Sequence, residues 1–232
     1  MSEPASGSAG LIKAVDRVSA RLRERIGESL RSVRADPPLE QVTTTSLEAL
    51  RLYAQATRMA DQGDADRAIA LLAEAVKRDT LFGMAHRRLG AYMTNPTYVS
   101  FLGTPGREAL SRAYQLRERL SDGERYHVEA MYASRVENDN EKAITAYLAL
   151  LDKHPNDATA LNNLAVAHAL LGRLPERDAA YRRTIATGMA PALTYTNFIN
   201  VLRFQGNLVA ADSFLRTFSE RFPSSPDVAQ WT

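Results

Sequence analysis

Leu11, Val15, Val18, Leu22, Ile26, Leu30 and Val33 recur at steps of three and four, which places one apolar stripe on a helix over residues 11–35. Asp36-Pro37-Pro38 ends it, because proline lacks the amide donor and constrains the residue before it. Residues 1–10 lack a basic start followed by an apolar core, so they read as a flexible tail rather than a signal peptide. Residues 36–46 form a polar, Thr-rich linker, and Thr45-Ser46-Leu47-Glu48 has the spacing of a capping box with Thr45 as N-cap.

Helix pairs follow, and each is broken by turn residues. Leu47 to about Gln62 and Ala65 to about Arg78 flank Gly63-Asp64, with Ala56, Ala68 and Ala75 small enough for close packing. A second pair opens near Gly83 and passes Leu89-Gly90-Ala91-Tyr92. Asn95-Pro96 and Gly103-Thr104-Pro105-Gly106 then interrupt it, so a protruding loop is expected between Asn95 and Arg107 and a return helix from Glu108 to about Leu120. Ser121-Asp122-Gly123-Glu124 is a second capping box, Asn138-Asp139-Asn140 turns the third pair, and Glu141–His154 returns. Ala158–Leu171 with Pro175–Thr187, and Ala192–Gln205 with Leu208–Phe222, complete the series. The expected array therefore spans 47–223, with units near 47–80, 83–120, 122–155, 158–189 and 192–223. Residues 224–232 would start a further unit or form a tail. No polar capping helix follows, which suits either a segment of a longer protein or an end that pairs with something else.

The units repeat. Asn138, Gly172 and Gly206 are 34 residues apart, as are Tyr147, Tyr181 and Leu215, and Pro155, Met189 and Pro223. From Gly63 to Asn138 is 75 residues, about seven more than two such periods, which agrees with a loop in the second unit. Self-similarity at this period marks tandem helix–turn–helix units. A single unit cannot bury its apolar face, so neighbours must stack.

The pattern resembles the tetratricopeptide repeat over about Ser46 to Pro223. Leu89-Gly90 with Tyr92, Leu164-Ala165 with His168, and Ala143 with Tyr147 fall where that family places its packing residues. Arg177 stands where a small alanine is usual, Phe198-Ile199 replaces Leu-Gly, and Gln55-Ala56 does so in the first unit. The resemblance implies an all-α, right-handed superhelical solenoid of about five helix–turn–helix repeats, with the 11–35 helix as an extra N-terminal element. It also implies a surface, lined by the first helix of each repeat, that binds other proteins. A narrower stretch, Leu22 to Leu30 and then Pro38 to Thr44, resembles the segment preceding the repeats in some bacterial membrane-anchored Ser/Thr protein kinases. That likeness implies a sensor or docking part of such a protein, and a compartment that is cytoplasmic or, in that context, extracytoplasmic.

Composition narrows the function classes. Net charge is +2, from 29 Lys and Arg against 27 Asp and Glu, which is too balanced for a nucleic-acid binder. Seven basic and three acidic side chains lie between Lys13 and Arg34, where most of the positive surplus sits. Asp16, Glu24 and Glu28 dilute any membrane signal there, so membrane contact is not expected of this chain alone. That helix would cap the first repeat or mediate self-association into a homo-oligomer. Cysteine is absent, and the four histidines are scattered without metal-ligand spacing. Gly103 to Arg107 lacks the lysine and length of a phosphate loop, and no Gly-x-Ser-x-Gly or kinase motif occurs. No cofactor, metal or enzymatic activity is expected.

The candidate binding residues are the exposed, chemically mixed positions of the first helices: Arg87, Arg88 and Asn95; Arg125, Tyr132 and Arg135; Asn162, Asn163 and Val166; and Asn197, Asn200, Arg203 and Phe204. Asn163 and Asn197 share one helix position a period apart. A carboxamide donates and accepts, so the two would form a short ladder on an extended ligand, or else bond between neighbouring helices and hold the stack. The matching residues upstream are Ala54, Arg88 and Glu129. The arginines would read acidic groups or a C-terminal carboxylate, or else pair with Glu124, Glu129 and Glu137. The expectation is a non-catalytic scaffold that binds a protein or peptide segment in the groove, in bacterial signalling. The alternative is an oligomerising or sensor module of a larger kinase, self-associating through the 11–34 helix.

Overall fold

The computed structural model describes residues 44–61, 64–95 and 103–223, with Gly10, Ala14, Arg17, Ser225 and Val228. Ten α-helices and no strand occur among the described residues: α1 Leu47–Asp61, α2 Ala65–Arg78, α3 Gly83–Met93, α4 Gly103–Gln115, α5 Asp122–Tyr132, α6 Asn140–Lys153, α7 Ala158–Leu170, α8 Leu174–Ala186, α9 Ala192–Phe204 and α10 Leu208–Arg221. A 3-10 turn, Arg117–Arg119, follows α4, and a wide π turn, Ala133–Glu137, continues α5. Of the 11–35 helix, only Ala14 and Arg17 are described. Both are helical, Ala14 buried and Arg17 exposed. The rest of that helix, and the kinase-like stretch except Thr44, lie outside the described residues.

The chain falls into two compact units. The first holds residues up to Met59 and Ala65–Tyr132; the second holds Ala60–Asp64 and everything from Ala133.

In the second unit the 34-residue period is a backbone fact. Asn138, Gly172 and Gly206 all take left-handed φ, at 58°, 70° and 73°. Each terminates a first helix at the position where the chain must reverse, which is where a residue without a Cβ costs least. Arg173 N donates to His168 O and Asn207 N to Leu202 O, both at 2.9 Å, closing the helix ends with the same six-to-one bond. At the third repeat the matching bond runs from Asp139 N to Ala133 O at 2.8 Å, one residue wider, because the π turn adds a residue to the loop. Two of the second helices, α6 and α10, then start on side-chain caps, while α8 starts on Pro175 in its first turn. Asp139 Oδ1 accepts from Lys142 N at 2.9 Å, and Asn207 Oδ1 from Ala210 N at 3.3 Å.

Aromatic side chains fill the core of this unit. Tyr181, Tyr195, Phe198, Ile199, Leu202 and Phe218 are buried together. Phe198 lies 5.4 Å from the Tyr181 ring and 4.9 Å from Phe214, so Phe198-Ile199 fills space that a Leu-Gly pair leaves to its neighbours. Arg177, at the alanine position, is buried. Its Nε donates to Asp178 Oδ1 at 2.9 Å, and Asp178 also receives Gln205 Nε2 at 3.3 Å. The Tyr181 hydroxyl is pushed up to about 12 by burial, with Arg177 opposing the shift.

The first unit is tightest where α3 crosses α4. A Cβ on Gly90 would lie 2.6 Å from Leu110 Cγ and 2.8 Å from the carbonyl oxygen of Gly106, so only glycine allows this approach. The expected loop through Arg107 is corrected here. Gly103-Thr104-Pro105-Gly106 is the first turn of α4, where proline is tolerated and where Gly106 lets the helix close on Met93 and Thr94. The cap of α1 is also corrected. Ser46 Oγ, not Thr45, accepts from Ala49 N at 3.2 Å. Thr44 Oγ1 accepts from Ser46 N at 3.0 Å and donates to Asp79. Glu48 pairs with Arg78 at 3.5 Å instead of reaching back. Ala56, Ala68 and Ala75 are fully buried, and Tyr53 packs on Phe82 with ring centroids 5.1 Å apart.

Candidate functional site

Burial sorts the candidate residues by helix position. Over 127–134 and 161–168 the order of buried and half-buried residues is the same, and residues 195–199 repeat its first five places. Arg87, Val128, Asn162 and Thr196 share a buried position. Arg88, Glu129, Asn163 and Asn197, the next residues along, are half-buried. A 100° step around the helix separates the two sets.

The buried position serves the stack. Arg87 Nε donates to Glu124 Oε2 at 2.9 Å, joining α3 to the start of α5 inside the first unit. Burial acts to raise the Glu124 carboxyl, but Arg87, His127 and Arg88 together hold it below its ordinary value. Asn162 plays the same part in the second unit. Its Oδ1 accepts from Thr194 Oγ1 at 3.1 Å, which ties α7 to α9, and its Nδ2 donates to Asn163 Oδ1 at 3.2 Å. Arg87 and Asn162 are therefore engaged within the protein, because their position points between neighbouring first helices and not away from them.

Asn163 and Asn197 stand one on each of the paired helices α7 and α9, half-buried. Asn163 receives one bond, from Asn162, and its own donor is not used in any of the bonds described. The Asn197 carboxamide makes no hydrogen bond among the described residues. Val166 lies half-buried one turn past Asn163. Asn200 lies in the matching place after Asn197 and is exposed, as is Arg203. The second unit thus presents a polar strip with free amide capacity on a buried apolar base.

The first unit's arginines are mostly engaged. Arg88 donates to Thr57 and lies over the Tyr53 ring at 5.2 Å. Arg125 bonds Asp122 at 3.1 Å and lies 5.8 Å from the centre of the Tyr126 ring. Arg135, in the second unit, is half-buried. Sequence reading did not anticipate Arg117, which stacks over Tyr114 at 4.1 Å while Tyr114 stacks on Tyr132 at 4.1 Å. The only signal for it was an aromatic spacing that fits packing equally well. No described helix is long and apolar enough to cross a membrane.

Repeating helical hairpins closed by left-handed turns define a class, the helical-repeat proteins, and the comparisons place it more finely. The tetratricopeptide repeat family model matches residues 129–190. A thermophilic tetratricopeptide-repeat protein of Thermus thermophilus shares the fold at a TM-score of 0.54 and 17% identity, over 78% of this chain and 95% of that one. YrrB, a tetratricopeptide-repeat protein with an unusual peptide-binding site, is 16% identical over 78% of this chain and 90% of its own, with a TM-score of 0.42. MamA from Desulfovibrio magneticus RS-1 is 13% identical over 78% and 98%, at 0.43. No curated protein matches the sequence. The fold is thus an all-helical repeat of the tetratricopeptide type, an architecture that suggests a protein–protein interaction scaffold.

Proposed function

We propose that this chain is a non-catalytic scaffold that binds an extended segment of another protein across the first helices α7 and α9. The observation that carries the reading is the pair Asn163 and Asn197, one period apart, half-buried, with amide donors used in none of the hydrogen bonds described and one of the two oxygens already accepting from Asn162. A side-chain amide can accept from a peptide N–H and donate to its C=O, so two in line hold a strand without reading its side chains. Val166 beside Asn163 supplies apolar contact, and Asn200 and Arg203 extend the polar edge. Asn162 supports this surface from beneath and does not touch the ligand. A ligand selected for neutral backbone contacts fits better than an acidic peptide, because the first unit's arginines are largely spent on Glu124, Asp122, Thr57 and tyrosine rings.

The test is selection of peptides from a random display library on the whole chain, followed by titration of the winners against Asn163→Ala/Asn197→Ala. Loss of binding with unchanged helicity supports the assignment. Equal binding by both proteins removes it.

A further inference from the structure

The turns of the fourth and fifth repeats carry large apolar side chains that nothing in the second unit covers. Phe204 is 96% exposed, Val209 85%, Leu208 57% and Leu170 56%, and Leu174 and Leu171 are exposed to a lesser degree. They obey the repeat. Leu170 and Phe204 are 34 residues apart, and so are Leu174 and Leu208. Leu170 and Leu174 bracket the left-handed turn at Gly172, and Phe204 and Leu208 the one at Gly206. Gln205 Nε2 donates to Asp178 Oδ2 at 3.3 Å, which fixes the fifth turn against the start of the fourth repeat's second helix. The apolar residues therefore lie side by side along one edge.

The stripe is bounded. At the matching place in the third repeat stand Val136, half-buried, and Asn140, next to Glu137 and Glu141. Glu137 is held by Lys142 at 2.8 Å, and Glu141 receives Arg173 Nη1 at 3.0 Å. A polar rim of ion pairs beside an apolar centre is the anatomy of an interface.

We infer that this edge is the contact between two copies of the chain. Full exposure amounts to about 200 Å² for Phe and ~100 Å² for each aliphatic side chain, so the observed exposures leave roughly 450 Å² of apolar surface here. One side of a standard interface buries about 800 Å², a little over half of it apolar, which is also about 450 Å². The patch residues themselves carry no charge; of the arginines beside them, Arg173, between Leu171 and Leu174, is already paired with Glu141, and Arg203 precedes Phe204. A two-fold contact then sets apolar against apolar without opposing like charges. A partner of different chemistry chosen by charge would have little here to read. The inference is independent of peptide binding at Asn163 and Asn197.

Sedimentation velocity of the full chain, from micromolar to hundreds of micromolar, tests it. The wild type is expected to pass from monomer to dimer. Phe204→Ser/Leu208→Ser should weaken that association at least tenfold, and Leu148→Ser, an exposed leucine elsewhere on α6, should not. A wild type that stays monomeric throughout overturns the inference. So does a dimer that survives Phe204→Ser/Leu208→Ser and disappears on removal of residues 1–38, which would put the contact on the N-terminal stripe. The chain has no cysteine, so Phe204→Cys gives a second reading. Air oxidation should link two copies through that position, and a chain that stays uncrosslinked at dimer-forming concentration counts against the contact.

Discussion

Replacing Gly90 with alanine separates local helix propensity from tertiary packing. In an isolated helix the change would help by roughly 0.5–1 kcal/mol, because glycine has the greater conformational freedom to lose. In this fold the new Cβ would sit 2.6 Å from Leu110 Cγ and 2.8 Å from Gly106 O, where ordinary contact begins near 3.4 Å. A rotamer change can move the leucine, but the carbonyl belongs to the α4 backbone. The two helices must therefore separate by several tenths of an ångström along the tightest crossing in the first unit. Overpacking of this kind costs about 1–3 kcal/mol. Subtracting the propensity gain leaves a net loss centred on ~1 kcal/mol. Urea unfolding followed by circular dichroism measures it as a lower midpoint at unchanged slope. Gly90→Ala as stable as wild type would refute the closed α3–α4 crossing and, with it, the placement of Gly103–Gly106 in a helix.

Other outcomes follow from the same geometry. Gly172→Ala and Gly206→Ala should each cost about 1 kcal/mol from left-handed φ alone, since nothing lies within 4 Å of either new Cβ, whereas Asn138→Gly should be neutral or slightly stabilising. Arg87→Ala leaves Glu124 without its ion pair in a largely buried place and should lower stability by about 2–3 kcal/mol, less than a fully buried pair because Glu124 keeps some solvent access. Glu124 titrates below its ordinary 4.5 in the folded chain, so the unfolded chain takes up the proton first. Its contribution is complete above that value and is lost as pH falls through the lowered one. Unfolding midpoints from pH 7 down to about pH 3 should therefore fall less steeply in Arg87→Leu/Glu124→Leu than in wild type. Asn162→Ala should cost about 1 kcal/mol of stability through the lost Thr194 bond, and Asn163→Ala should cost less, through the one bond it receives from Asn162.

The turns made the second unit legible. Asn138, Gly172 and Gly206 announce left-handed reversals by residue type, and Pro155 and the Asp and Asn caps mark helix starts. Expected and observed helices there differ by about a residue at most ends. The same reasoning failed at Gly103-Thr104-Pro105-Gly106. Two glycines and a proline read as a loop, yet the helix needs Gly106 small to approach α3, a requirement set by a partner far along the chain. At Thr44-Thr45-Ser46 three adjacent hydroxyls compete. Only the backbone bond from Leu50 N to Ser46 O at 3.0 Å decides which one caps. The candidate site was legible in kind but not in facing. Asn162 and Asn163 are identical in sequence terms, and one step around the helix gives the first to Thr194 and leaves the second half-open. Arg87 and Arg88 divide in the same way. Phe204 was expected among the binding residues of the first helices, but the stripe it forms with Leu208 across the turn was not, because a 34-residue register lines up first helices with first helices and says nothing of the two sides of a turn.

Isothermal titration of a library-selected peptide into wild type and into Asn163→Ala/Asn197→Ala tests the central claim most directly, with thermal unfolding of both run alongside. Two lost hydrogen bonds at ~0.5–1.5 kcal/mol each predict affinity weakened by roughly 5- to 150-fold with the fold retained and only a small drop in the unfolding midpoint from the lost Asn162–Asn163 bond. Equal affinity for both proteins, with both folded, would contradict binding along α7 and α9 and leave the two asparagines without a ligand role.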